Sequence, residues 1–196
     1  ALRLIAGSPG MTGAAELAAN GALRAGAGMV MASSPTTDIQ PSDLPTEAVT
    51  RQITNDNWLP EVLNDLERFA ALLIGPGLGT NPRTIAATAE LIEQAPIPVI
   101  VDADALTAVA AHPSCLQRRV LPTILTPHDG EFEKLTGSPP GIDRCAAVRT
   151  AAKNSVVLLK GPTTLVSDQQ GALTFVRNAN QRLATAGTGD VLAGII

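Results

Sequence analysis

The chain has 196 residues, enough for one domain with a sizeable core, and its 45% apolar content is built from small aliphatic residues, with one Trp and no Tyr. A net charge of −4, from 14 basic and 18 acidic residues, excludes a general nucleic-acid binder, because no basic excess is available to neutralise a phosphate backbone. There is no signal peptide and no apolar run long enough to span a bilayer, so no membrane partner is expected; Cys115 and Cys145 stand in no metal or redox spacing and read as reduced thiols of a cytoplasmic protein.

Leu2-Arg3-Leu4-Ile5-Ala6 predicts a short strand running into the glycine-rich loop Gly7-Ser8-Pro9-Gly10-Met11-Thr12-Gly13. A helix over 14–25 and a strand at Met29-Val30-Met31-Ala32 complete a βαβ unit, for which a right-handed crossover and parallel pairing are the rule. Residues 33–57 are rich in Pro, Thr, Asp, Ser and Asn and read as a long surface connection with an edge strand at 48–53. The spacing then predicts a helix over 58–69, whose core stripe is Trp58, Val62, Leu66 and Phe69.

The apolar strand Ala70-Ala71-Leu72-Leu73-Ile74 delivers Gly75-Pro76-Gly77-Leu78-Gly79, after which Asn81 and Pro82 open a helix to Gln94. Its Gly-x-Gly-x-Gly spacing departs from the dinucleotide fingerprint, yet it permits close approach of backbone to a ligand. Val99-Ile100-Val101-Asp102 is another buried strand and ends in Asp102-Ala103-Asp104. Two carboxylates arriving at such a strand end are candidates for a metal, ribose or lysine partner, with Asp104 read first as the cap of the helix behind it.

Thr123-Ile124-Leu125-Thr126 leads into Pro127-His128-Asp129-Gly130-Glu131. His128 can donate a hydrogen bond to a ligand, and Glu131 either orients a magnesium-bound water or forms the far half of a capping box. After an amphipathic helix over 142–153, the strand Ser155-Val156-Val157-Leu158-Leu159 ends in Lys160-Gly161-Pro162-Thr163-Thr164, where a lysine followed by glycine suits a phosphate contact. Leu165-Val166-Ser167 and Ala172-Leu173-Thr174-Phe175-Val176 form a hairpin by pattern.

The last motif is Ala184-Thr185-Ala186-Gly187-Thr188-Gly189-Asp190-Val191-Leu192. It describes a turn whose N–H groups point outward at the positive end of a helix, a place for a phosphate or a developing anion. Asp190 would repel that anion unless it takes a proton from a hydroxyl that attacks a phosphoryl group. Ligand-type residues thus arrive repeatedly at strand ends, at Gly7, Gly75, Asp102, His128, Lys160 and Gly187, an alignment that an enzyme needs and a structural protein does not.

Gly7-Ser8-x-Gly10-Met11-x-Gly13-Ala14, Ala22-Leu23-Arg24-x-Gly26-Ala27-Gly28, Gly75-Pro76-Gly77-Leu78-Gly79, Asp102-Ala103-Asp104-Ala105-Leu106, Leu125-Thr126-Pro127-His128-x-Gly130-Glu131, Lys160-Gly161-x-x-Thr164 and the last motif follow one another over nearly the whole chain. In that order they resemble the ADP/ATP-dependent NAD(P)H-hydrate dehydratases of the ribokinase-like superfamily. The Thr-Pro-His-x-Gly-Glu and Gly-Thr-Gly-Asp motifs are specific together, whereas the second alone is shared with sugar, vitamin and thiazole kinases of that fold.

The resemblance implies a three-layer α/β/α ribokinase-like fold with a mostly parallel central sheet, one dehydratase domain over 1–196 that continues beyond both ends, and further helices after Ile196. It implies a cytoplasmic repair lyase: a nucleotide phosphorylates the ring hydroxyl of hydrated NADH or NADPH, and phosphate then leaves. In these terms Asp190 is the base, and the N–H groups of Gly187, Thr188 and Gly189 form the anion hole. Lys160, Gly161, Pro162, Thr163, Thr164 and Gly189 lie along the nucleotide. Ala14, Gly77, Gly79, His128 and Asp190 contact the hydrated dinucleotide, and Glu131 places Mg2+ through water. ADP is expected ahead of ATP, a homo-oligomer as the assembly, and an NAD(P)H-hydrate epimerase as a fused or cooperating partner. The Gly-Asn-Pro segment of the family is replaced by Arg177-Asn178-Ala179-Asn180-Gln181-Arg182. The alternative activity is a small-molecule kinase of hydroxymethylpyrimidine or thiazole type, and the alternative class is a nucleotide-binding module without turnover.

Overall fold

The computed structural model describes residues 1–53, 57–177 and 180–196. Its sheet contains β1 (Leu2–Ile5), β2 (Val30–Ser33), β3 (Val49–Thr50), β4 (Ala71–Ile74), β5 (Val99–Val101), β6 (Thr123–Leu125), β7 (Val156–Leu159), β8 (Thr164–Ser167) and β9 (Leu173–Val176), in the order β3-β2-β1-β4-β5-β6-β7-β8-β9. Pairing is parallel from β3 through β7, and the β8–β9 hairpin adds antiparallel strands at one edge. The central strands are mostly apolar because both of their faces are covered: Leu4, Ile5, Leu72, Leu73, Ile74 and Val101 are fully buried.

One face carries α1 (Thr12–Arg24) and α8 (Thr188–Ile195), packed through Ala15, Ala18, Ala19, Ala22 and Ala193. The other carries α2 (Trp58–Leu63), α3 (Pro82–Gln94), α4 (Asp104–Ala111), α5 (Ser114–Gln117), α6 (Asp129–Thr136) and α7 (Arg144–Ala151) around the larger core. This is the expected three-layer α/β/α arrangement. α1 and α8 touch backbone to backbone: a Cβ on Gly21 would overlap the Val191 carbonyl, and one on Gly194 the Ala18 carbonyl. Among the described residues no helix is long and apolar enough to cross a membrane.

Three local expectations change. The helix expected over 58–69 ends at Leu63, and Leu66–Arg68 is a separate 3-10 turn. The break falls at Asn64-Asp65, where the buried Asp65 carboxylate turns inward to an ion pair with Arg51; the Trp58, Val62, Leu66 and Phe69 stripe stays buried all the same. The edge strand expected over 48–53 shortens to Val49–Thr50, and residues 54–56 of the surrounding connection lie outside the described residues. Arg3, read only as a strand residue, is wholly buried in β1 and donates to the Met31 carbonyl at 2.9 Å and to Ser33 Oγ at 2.7 Å. Burial lowers its guanidinium to about 10, against an opposing pull from Asp65.

Candidate active site

The register aligns the carboxyl ends of four neighbouring strands, with Ile5 opposite Ile74, Ile74 opposite Val101 and Val101 opposite Leu125. The loops after them therefore meet in one row, the place where parallel sheets bind ligands. Gly75 takes φ +125, and a Cβ there would overlap the Asp102 carbonyl, so only glycine lets the two loops touch. The Gly7 N–H donates to the Pro76 carbonyl at 2.8 Å and ties the first loop to the same row. Ala14 and Gly77, both expected at the dinucleotide, are packed together: a Cβ on Gly77 would stand 2.9 Å from Ala14 Cβ.

Asp104 is not the helix cap that its position suggested. Ala103 is the N-cap of α4, with φ 49 and ψ −122, and Asp104 is the first helical residue. Its Oδ2 accepts the Gly79 N–H at 2.8 Å, so it braces the Gly77-Leu78-Gly79 turn. Asp102, 1% exposed, accepts at Oδ1 from Thr126 Oγ1 at 2.6 Å and from Lys160 Nζ at 3.0 Å. The lysine partner expected of a carboxylate at this strand end is thus Lys160.

Lys160 Nζ also stands 3.6 Å from Glu131 Oε2. That oxygen accepts the His128 N–H at 2.8 Å, while His128 Nδ1 accepts the N–H groups of Gly130 and Glu131 at 3.0 and 3.2 Å. His128 and Glu131 thus form the capping box of α6, satisfying its otherwise orphaned donors. Because Nδ1 accepts, the neutral ring carries its proton on Nε2, which stands 3.5 Å from Glu131 Oε2 on a largely exposed side chain.

The entrance of α8 closes the cluster. Gly187 caps the helix at φ +88, and a Cβ there would run into Leu17 of α1. Thr188 serves the turn itself: its single hydroxyl proton is shared between the carbonyls of Leu183 (2.7 Å) and Thr185 (2.8 Å), and its N–H donates to the Thr185 carbonyl at 3.3 Å. The next two N–H groups, of Gly189 and Asp190, have no backbone acceptor among the described residues. A Cβ on Gly189 would stand 3.4 Å from Lys160 Nζ and 3.9 Å from Asp102 Oδ2, so cation and carboxylate both face this entrance. Asp190 is half-buried, and its carboxyl is pushed up from 3.8 to about 6, first by burial and then by repulsion from Asp102; Lys160 pulls it back, and Asp104 and Glu131 add to the push. A carboxylate tuned to that range, beside free N–H donors, has the properties of a general base next to an anion site.

Gly161 lies under Arg144, whose Nη2 is 2.9 Å from where a Cβ would stand and 3.5 Å from the Lys160 carbonyl. Nη1 of the same guanidinium pairs with Asp129 at 2.7 Å. Sequence reasoning missed Arg144; the available signal was a cation in the first turn of α7, where the helix dipole disfavours it. Thr164 opens β8 opposite Val176, and no hydrogen bond or ion pair among the described residues joins Pro162, Thr163 or Thr164 to the Asp190 cluster. Within Arg177-Asn178-Ala179-Asn180-Gln181-Arg182, Asn178 and Ala179 lie outside the described residues, and Asn180 caps the turn Gln181–Leu183. No group of three His, Cys, Asp or Glu side chains among the described residues could hold a metal ion.

The model of the NAD(P)H-hydrate dehydratase family matches residues 2–196. The chain belongs to this family. A bifunctional NAD(P)H-hydrate repair enzyme of Moorella thermoacetica is 39% identical over 98% of the chain, which spans 39% of that relative's own length. The chain thus covers about two fifths of the curated relatives it matches. Among solved structures, the ADP/ATP-dependent NAD(P)H-hydrate dehydratase of Bacillus subtilis, crystallised with ATP and Mg2+ and soaked with CoA, has a TM-score of 0.79 at 31% identity, covering 98% of this chain and 71% of its own. A ribokinase-like protein of Enterococcus faecalis V583 gives 0.81 at 26% identity, over 99% of this chain and 68% of its own. The fold of this dehydratase-family chain is therefore ribokinase-like.

Proposed function

We propose that the chain carries the nucleotide-dependent dehydration of hydrated NADH or NADPH, with Asp190 as general base. Asp190 takes the proton of the ring hydroxyl, and the oxygen attacks the terminal phosphoryl group of ADP or ATP as the bond to the rest of the nucleotide breaks. The ring carbon–oxygen bond then breaks, phosphate leaves with the electron pair, and the neighbouring ring carbon loses a proton to restore the double bond. The free N–H groups of Gly189 and Asp190, with Lys160, stabilise the transferring phosphoryl group. Lys160-Gly161 and Arg144 line the nucleotide side, and Ala14, Gly77, Gly79 and the Nε2 donor of His128 the dinucleotide side. The observation that carries this reading is Asp190, half-buried and pushed up to about 6, in the first turn of a helix whose Gly189 and Asp190 N–H groups have no backbone acceptor among the described residues.

Mg2+ fits a site of this composition. Glu131, whose Oε2 already accepts the His128 N–H, would place the ion through water, and phosphate oxygens would hold it in place of a protein-only cage, which suits a cation that keeps its waters. When bound, it neutralises charge on the phosphates. The Moorella repair enzyme is bifunctional and this chain spans 39% of it, which supports a second repair activity as fused or cooperating partner, and a substrate made from reduced dinucleotides supports a cytoplasmic setting.

The test is incubation of the purified chain with hydrated NADH plus Mg2+ and either ADP or ATP. Return of absorbance at the reduced-nicotinamide band with stoichiometric phosphate release is expected, with ADP the better donor. Accumulation of a phosphorylated product would favour the small-molecule kinase, and absence of phosphate release the non-catalytic module.

A further inference from the structure

Asp102 and Asp104 leave one strand end in opposite directions. β5 lies between β4 and β6 in the sheet. Asp102 reaches across β6 and β7 to Thr126 and Lys160, whereas Asp104 reaches back over the β4 loop to the Gly79 N–H. What separates them is Ala103, at φ 49 the one non-glycine residue with positive φ among the described residues. The Asp102 carbonyl accepts the Ala105 N–H at 3.2 Å, so 102–105 is a type II′ turn with Ala103 at the position that favours glycine. Such strain persists only where its surroundings over-determine it. Here the Asp102 N–H is fixed to the Ile74 carbonyl at 3.1 Å, the Leu106 N–H to the Ala103 carbonyl at 3.0 Å, and the bare Gly75 makes room for the Asp102 carbonyl.

We propose that Asp102-Ala103-Asp104 is a two-armed positioning elbow: Asp102 holds Lys160 at the entrance of α8, Asp104 holds the Gly77-Leu78-Gly79 turn against Ala14, and the turn at Ala103 keeps the two in register. The elbow rests on the reading of those two places as the phosphoryl and dinucleotide halves of one site. Each carboxylate acts through a neighbour, Asp102 through an ammonium and Asp104 through a backbone N–H, and so the two arms fail separately.

Amide hydrogen exchange on the free protein, combined with steady-state kinetics in which hydrated NADH and the nucleotide are varied in turn, tests this. Asp104→Ala removes the charged acceptor of the Gly79 N–H. Exchange at Gly79 should accelerate and KM for hydrated NADH rise roughly tenfold, with KM for the nucleotide within about twofold of wild type. Asp104→Asn keeps an oxygen at the same reach and should restore both readouts. Thr126→Val, which removes the hydroxyl that orients Asp102, should lower kcat and leave Gly79 exchange unchanged. Unaltered Gly79 exchange in Asp104→Ala, equal rises in both KM values, or failure of Asn to rescue would each overturn the elbow. Accelerated exchange with rescue, in a protein that turns over no hydrated NADH with either nucleotide, would retract the proposed function and leave the elbow standing. Full turnover with unaltered exchange would do the reverse.

Discussion

Replacing Asp190 by Asn should stabilise the fold while removing its activity. The carboxyl sits at about 6 where 3.8 is ordinary, because burial and Asp102 both disfavour its charge. The folded chain therefore binds this proton more tightly than the unfolded chain does. Ionising it costs stability in full above pH 6, the cost shrinks as pH falls from there, and it vanishes below the unfolded value near 3.8. A displacement of that size is worth about 3 kcal/mol when carried wholly by the fold. The group is only half-buried, and solvent screening reduces this to about 1–1.5 kcal/mol. In a domain of this length each kcal/mol moves Tm by about 2–4 °C, so Asp190→Asn should melt about 2–6 °C above wild type at pH 7.5 and level with it at pH 4. Turnover of hydrated NADH should fall by roughly 10²–10⁴, the range lost with a general base. Circular-dichroism melts from pH 4 to 8, run beside the absorbance assay, measure both. A Tm gain that persists at pH 4, or no gain at pH 7.5, refutes the electrostatic account; near-normal turnover refutes the role of base.

The same carboxylate sets an acid limb: kcat/KM should fall tenfold per pH unit below about 6, and Lys160→Met, which removes the one cation pulling Asp190 down, should move that limb to higher pH. A pH profile unmoved by the substitution would separate Lys160 from the base. Gly75→Ala forces a Cβ into the Asp102 carbonyl at a φ of +125, and should cost more than about 3 kcal/mol in denaturant titrations. Wild-type stability in that variant would show that the two loops are not locked.

The layers and the parallel sheet were legible because strands buried on both faces favour continuous apolar runs, as those ending at Ile74 and Val101 are before glycine or aspartate stops each of them; β1, interrupted by Arg3, was legible from its place before the first glycine-rich loop. The hairpin between β8 and β9 was legible from its turn residues. The break after Leu63 was hidden, since the apolar stripe runs through it unaltered and the ion pair of Asp65 with Arg51 leaves no local pattern in the sequence. In the site, Asp190, Lys160 and Glu131 announced themselves at strand ends and helix starts, and the structure brings them together. Asp104 misled because a carboxylate one residue from a helix start has the chemistry of a cap; only the positive φ of Ala103 turns it toward Gly79 instead. Thr188 was grouped with the anion donors by sequence order, whereas the local turn draws its N–H and hydroxyl back to Thr185.

A carboxylate whose ionisation is opposed by its surroundings stays in place only if the element bearing it cannot withdraw. α8 carries Asp190 in its first turn. What holds it is backbone-to-backbone contact with α1, where Gly21 meets the Val191 carbonyl and Gly194 the Ala18 carbonyl, with Leu17 set under Gly187. A side chain at either interface glycine would push α8 outward, let water reach Asp190 and relax its proton affinity toward the ordinary value. The alanine- and glycine-rich character of these two helices is therefore tied to the chemistry: small residues bring the backbones together, and the close backbones hold Asp190 against Asp102 and Lys160.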